Sequence, residues 1–264
     1  AMGAAGADLN IGCPQRRARE GFYGSWMQED WDLCCAIIAA ARAACPRGFA
    51  ITAKLRVQYC ERGTRPSTER TVEFARRLVA AGADLIALHA RVRGSPEQRR
   101  AGAADLTVVR ALVDAGLGVP ILSNGNVRSR EDVALNLKAT GADGVMCAEE
   151  LLRDPSLFAP EKISAPALIG EYLDLLRESD IPREDGSASG KDGAVTRATT
   201  EGVERYSVWW ANIEVLRCHI KRMLERSGSS GKETLQRNTF RKAATLADVD
   251  RYLRGRLRLA EPAA

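Results

Sequence analysis

A chain of 264 residues, 45% of them apolar, can fill one large core or a core with an appendage. No run approaches the roughly 18 apolar residues of a membrane-spanning helix, and the alanine-rich start lacks the basic and apolar blocks of a signal peptide, so a soluble globular protein is expected. The formal charge of +5 is modest but unevenly placed, with twelve Lys or Arg against four Asp or Glu over residues 217–258. That segment is either a solvated helical surface or a footprint for a polyanion such as nucleic acid. Seven cysteines, without the tight spacing of a stapled scaffold, suggest reduced thiols inside a cell. With two histidines and no CxxC pair, no metal site is expected.

Along the chain, apolar β-rich runs at residues 8–11, 50–57, 85–89, 119–123 and 144–147 alternate with helical patterns at 31–44, 68–81, 106–115 and 130–139. Ser67 can cap the helix after Pro66, and Ser129 with Asp132 resembles a capping box. A Gly-Ala-Asp triplet recurs at residues 6–8, 82–84 and 141–143, each before a strand, where the glycine can end a helix in the left-handed region. Alternating strands and helices with short joints imply an α/β parallel sheet, either a barrel or a doubly wound sheet. Residues 162–178 read as a further helix and 179–200 as a flexible linker. Residues 205–228 are helical in pattern, and a last helix begins at Thr245.

In a parallel α/β barrel the reactive groups gather at the carboxyl ends of the strands. Those ends supply Asn10 and Cys13, Lys54 and Arg56, His89 with Arg91 and Arg93, Asn124-Gly125-Asn126, and Cys147-Ala148-Glu149. Asn124-Gly125-Asn126 is either a plain turn or an anion loop in which the glycine lets backbone N–H groups approach a phosphate. Lys54, amid apolar residues, must face solvent, an anion or electron-rich ring, or a carbonyl substrate. His89 is either a satisfied core histidine or a group in the same mouth. Pro14 forces Cys13 into extended backbone and ends the ladder, holding the thiol at the rim. An ordinary thiol is mostly protonated at neutral pH. It can serve as a general acid, or as a nucleophile where a neighbour lowers its pKa.

DLNIGCPQRRAREGFYGSWM, followed in order by ITAKLRV, LIALHARVR, ILSNGNV and ADGVMCAEELLRDPSLF, resembles the tRNA-dihydrouridine synthase family over roughly residues 5–160. Ala148-Glu149 after GVMC is similar to the eukaryotic branch acting on positions 16 and 17 of the tRNA D-loop. The resemblance implies an FMN enzyme on a (β/α)8 TIM barrel with a helical C-terminal domain that grips tRNA, using NADPH or NADH as reductant. Cys13 matches the family's proton donor. Lys54 and His89 match flavin contacts, Asn124, Gly125 and Asn126 the phosphate loop, and Ala148 and Glu149 the last phosphate-contacting turn. Asn10, Arg91 and Arg93 would lie near the substrate, although HARVRGSPEQ stands where the family more usually has His-Gly-Arg-Thr-Arg.

The resemblance places Cys13 at the end of the family's fourth strand, so about five of eight βα units are expected, in a chain that looks truncated at its start. The implied domains are a partial FMN-binding barrel at 1–165, a helix and flexible linker at 166–202, and a basic helical tRNA-binding domain at 203–264. A cytoplasmic monomer is expected, with the nucleus and organelles left open and no membrane partner. The other readings are a different flavin barrel, an aldolase using Lys54 as a Schiff-base amine, and an inactive tRNA-binding remnant.

Overall fold

Residues 4–60, 65–94, 103–178, 194–199, 202–207, 213–225 and 246–257 are described by the computed structural model. They belong to two compact units, Ala1–Cys147 and Ala148–Ala264. In the first unit the strands are β1 (Gly6–Asn10), β2 (Ala50–Tyr59), β3 (Pro66–Ser67), β4 (Leu85–Val92), β5 (Ile121–Asn124) and β6 (Gly144–Met146). The helices are α1 (Arg16–Glu20), a 3₁₀ helix (Gly24–Glu29), α2 (Trp31–Ala44), α3 (Thr68–Ala80), α4 (Leu106–Asp114) and α5 (Arg130–Thr140). All five β-rich runs become parallel strands in the order β1-β2-β4-β5-β6, while β3 turns back antiparallel on the end of β2. That pairing carries β2 two residues past its expected end, to Tyr59.

The strand order never reverses, so the sheet has no topological switch point of the doubly wound kind. Burial shows which face is covered. Ile51, Ala53, Leu55 and Val57 of β2 and Ile86, Leu88 and Ala90 of β4 pack with Cys34 and Ile38 of α2, Phe74 and Leu78 of α3, and Val109 and Leu112 of α4. Because side chains alternate along a strand, Lys54, Arg56, His89, Arg91 and Asn124 belong to the opposite face. Sequential parallel strands with helices over one face are consistent with an arc of a TIM barrel.

Local chemistry fixes the joints. Ser67 Oγ accepts from Arg70 N, and Ser129 with Asp132 forms a reciprocal capping box. Gly82 (φ 112°) and Gly141 (φ 68°) take the left-handed backbone that follows α3 and α5, whereas Gly6 lies within β1, paired with Ala50. The aspartates of the triplet do further work. Asp84 donates its N–H to Ile51 O (2.7 Å) while its carboxylate accepts from Ile51 N (2.8 Å). Asp143 repeats the clamp on Ile121, at 3.0 and 2.8 Å. Each clamp pins the register of adjacent strands at their entry, so the carboxyl ends arrive aligned.

In the second unit, α6 (Ala165–Glu178), α7 (Ile213–Glu225) and α8 (Leu246–Leu257) share a core of Ile169, Leu173, Leu216, Ile220, Met223, Leu224, Val249 and Leu253. Arg254, 7% exposed, pairs with Asp250 and Asp174. Strands β7 (Ala194–Thr199) and β8 (Gly202–Ser207) form an antiparallel hairpin where the sequence suggested linker and the start of a helix. Val195, Thr196, Thr199, Val203 and Tyr206 are residue types that favour strands, a signal that the neighbouring Gly and Ser obscure. Residues 179–193 of the expected linker lie outside the described residues. No helix among the described residues is long and apolar enough to cross a membrane.

Candidate active site

Cys13 sits on a short connection whose carbonyls are held on both sides. Gly12 N donates to Asn10 Oδ1 (3.0 Å), and Gly12 O accepts from Arg56 Nε (2.7 Å). Cys13 O accepts from both the backbone N (2.9 Å) and the hydroxyl (2.9 Å) of Ser25, at the start of the 3₁₀ helix. The backbone is thereby fixed while the thiol, half-buried, makes none of these bonds. Gly24 makes the close approach possible. Its φ is +60°, and a Cβ there would stand 2.6 Å from Cys13 O and 2.8 Å from Cys13 Cβ. Gly24→Ala is expected to lower stability by at least the 1–2 kcal/mol or so of a left-handed L-residue. A chemical denaturation midpoint equal to that of the unaltered protein would contradict this.

Register brings the polar strand ends into one row. Asn10 lies opposite Lys54, Arg56 opposite His89, His89 opposite Asn124, and Asn124 opposite Met146. A Cβ on Gly12 would stand 3.7 Å from Lys54 Nζ and 3.8 Å from Asn10 Oδ1, so these tips border the Cys13 connection. The row is crowded with positive charge. Burial lowers the pKa of Lys54, and Arg56 lowers it further, against weaker opposition from Asp8 and Cys13. Burial also lowers that of Arg56, followed by the repulsion of Arg91. Cations that depress one another favour an anion between them.

The Lys54 shift carries a sign. Its proton is held more tightly in the unfolded chain, so the ammonium penalises folding. The penalty is complete below the depressed folded pKa and fades between that value and the ordinary lysine value of about 10.4. Lys54→Met is therefore expected to raise the thermal midpoint at neutral pH, with a gain that shrinks as pH climbs towards that ordinary value. Circular-dichroism melts across that range would refute this if the gain were constant.

His89, Arg91 and the Asn124-Gly125-Asn126 turn form one network. Arg91 Nη1 lies 3.0 Å from His89 Nε2, and Arg91 Nη2 donates to Asn126 Oδ1 (3.1 Å). Asn126, itself left-handed (φ 58°), donates Nδ2 to Ala104 O (3.1 Å). Gly125 (φ 135°) has no room for a side chain, since a Cβ would lie 2.8 Å from that of Ala104 and 3.4 Å from Arg91 Nη1. Its carbonyl is turned back to Asn136 Nδ2 (3.1 Å), and Asn124 Nδ2 bonds Met146 O (2.7 Å). A bare glycine backbone beside His89 and Arg91 is a cradle suited to an anionic group.

Other residues read from the sequence are placed differently. Arg93 donates Nη1 to Ser25 O (2.9 Å) and Nη2 to Glu29 (2.6 Å), and its guanidinium lies 3.8 Å from the centre of the Trp26 ring. It fastens the end of β4 to the 3₁₀ helix. Ala148 and Glu149 open the second unit, where Glu149 pairs with Arg153. Ser25, Gln28 and Asn136 support the site although no local motif marked them. A polar Asn136 within the apolar run VALNLKAT was the available signal. Among the described residues no cluster of three His, Cys, Asp or Glu side chains could hold a metal ion.

The profile of the family described as "Dihydrouridine synthase (Dus)" matches residues 1–185. The chain belongs to the dihydrouridine synthase family. A tRNA-dihydrouridine(16/17) synthase-like protein of Rattus norvegicus is 37% identical over 179 residues, covering 66% of this chain and 37% of that protein. The tRNA-dihydrouridine(16/17) synthase of Schizosaccharomyces pombe is 32% identical over 196 residues, covering 70% of this chain and 46% of its own. That of Saccharomyces cerevisiae is 32% identical over 183 residues, covering 65% and 40%. The chain thus spans less than half the length of these three dihydrouridine synthases. Among solved structures, a nitroalkane oxidase from Streptomyces ansochromogenes aligns over 96% of this chain and 52% of its own at 18% identity. Its TM-score of 0.34 is too low to bear on fold or function.

Proposed function

We propose that this chain acts in the FMN-dependent reduction of uridine to 5,6-dihydrouridine in the tRNA D-loop, at positions 16 and 17, with NADPH or NADH as reductant. The observation that carries the reading is one sheet face on which a rim cysteine adjoins a row of cations and a glycine cradle. The family match and the relatives named for positions 16 and 17 support it. On this reading the parallel sheet is about five units of a (β/α)8 TIM barrel. Residues 1–165 form the flavin-binding catalytic domain, 166–202 a helix and linker, and 203–264 a basic tRNA-binding domain.

The residues present suit a phosphate-bearing flavin, because the Gly125 cradle and the row of cations match an anion. A flavin held there and reduced by NADPH or NADH would supply the hydride for uracil C6. Cys13, held by its carbonyls with the thiol left over, donates the proton to C5 and thereby completes the addition of two hydrogens across the double bond. Lys54 and His89 hold the flavin. Asn124, Gly125, Asn126, Ala148 and Glu149 bind its phosphate, while Asn10, Arg91 and Arg93 line the substrate side. A uridine must leave its stack to reach these groups, which favours a loop over a duplex.

A second reading has one specific observation in its favour. The lowered pKa of Lys54 also suits a Schiff-base amine, which borohydride would trap on a carbonyl substrate. The deciding experiment titrates the purified protein with FMN and assays dihydrouridine on unmodified tRNA with NADPH. Flavin binding with product formation is expected. Absence of both overturns the proposal, and tRNA binding without flavin binding would identify an inactive RNA-binding remnant.

A further inference from the structure

Helix α1 ends in a hydrogen-bond pattern that normally requires glycine. Tyr23 N donates to Ala18 O (2.9 Å) and Phe22 N to Arg19 O (3.2 Å), the paired bonds of a Schellman closure. The residue that takes the left-handed conformation in such a closure is the one just past the cap, and here it is Phe22, at φ 49°. Glycine stands one position too early, at Gly21, where φ is an unremarkable −92°. A phenylalanine in this conformation is a rare and strained choice. The strain brings no burial in return, because Phe22 remains 48% exposed.

Tyr23 is 47% exposed, and its ring is seated on the chain, since a Cβ on Gly21 would come within 2.9 Å of ring atoms Cδ1 and Cε1. Ring and backbone thus meet on one side. The flanking surface is basic, with Arg16, Arg17 and Arg19 all exposed and only Glu20, paired with Arg16, opposing them. The next residue after the two rings is Gly24, whose α-carbon abuts Cys13. Strained local backbone that buries nothing, found beside a reactive group, points to function rather than packing.

We propose that Phe22 and Tyr23 form a stacking platform for unpaired bases of the RNA substrate that flank the base presented to Cys13. This rests on the function proposed above. Aromatic rings accept any base on their faces, and the arginines of α1 meet the adjoining phosphates, the pairing used for single-stranded nucleic acid. Phe22 then supplies contact area that a glycine in the same closure could not.

The test exploits the strain. Phe22→Gly completes the closure with its preferred residue, so the melting temperature is expected to stay level or rise. Affinity for an unmodified tRNA transcript, measured at fixed salt, is expected to fall about five- to a hundredfold. Phe22→Tyr, which restores a ring, should recover binding. Affinity of Phe22→Gly equal to that of the unaltered protein overturns the inference while leaving the proposed function standing, as does a loss of affinity accompanied by a lowered melting temperature. Failure of the unaltered protein to bind tRNA at all overturns both.

Discussion

Under the proposed function, Cys13→Ala is expected to slow dihydrouridine formation by about 10²- to 10⁴-fold, the range in which a positioned general acid contributes. In that proposed reaction the two hydrogens of the product come from different sources, and the substitution should separate them. Oxidation of NADPH by flavin-loaded protein needs no proton from Cys13 and is expected to continue at the unaltered rate when tRNA is absent. Transfer to uridine needs that proton and should stall. The fold should survive, because the anchors of the connection are Gly12 N, Gly12 O and Cys13 O, all backbone atoms that alanine retains. Stopped-flow absorbance of the two half-reactions measures each rate separately. Equal slowing of both would mean that Cys13 holds the flavin, and an unchanged second rate would remove it from the chemistry.

What local pattern could say about this site, it said through periodicity and punctuation. The helix Trp31–Ala44 has the bounds that its apolar spacing predicts, and Ser129 caps α5 through the box its sequence suggests. The strand-end row of Lys54, His89 and Asn124 follows from parallel strands of known phase, because register then leaves little freedom. Other features depend on contacts that no window of sequence contains. Ser25 reaches Cys13 across a turn, Gln28 reaches the β2 backbone 28 residues away, and Arg93 returns 68 residues to the carbonyl of Ser25. Arg93 shows the consequence. The resemblance implied a substrate contact for it, and its contacts with Trp26 and Glu29 could not be read from that. The strained Phe22 is equally invisible to local pattern, since the adjacent Gly21 is the residue a helix end more often places in that conformation.

On the proposed function, Arg56→Met is expected to reduce turnover about 10²-fold with a comparatively small change in stability, and opposing magnitudes explain the split. Arg56 is 3% exposed, donating Nε to Gly12 O (2.7 Å) and Nη1 to Val92 O (3.0 Å). Each hydrogen bond from a charged group contributes roughly 1.5–3 kcal/mol, and both carbonyls would lose theirs. Against this, a buried charge of several kcal/mol in desolvation penalty also disappears, and an apolar chain of similar volume fills the space. These terms nearly cancel in the folding equilibrium. They do not cancel at Cys13, because the connection carrying it loses its tie to β2, and a displacement of about 1 Å at a reacting group can slow a reaction about 10²-fold. Arg56→Lys keeps the charge but not the fork that spans two carbonyls, so it should recover only part of the rate. The Michaelis constant for tRNA separates positioning from binding: a fall in kcat at constant KM is expected. A rise in KM alone would make Arg56 a substrate contact, and full turnover in Arg56→Met would show that Ser25 suffices to hold the cysteine in place.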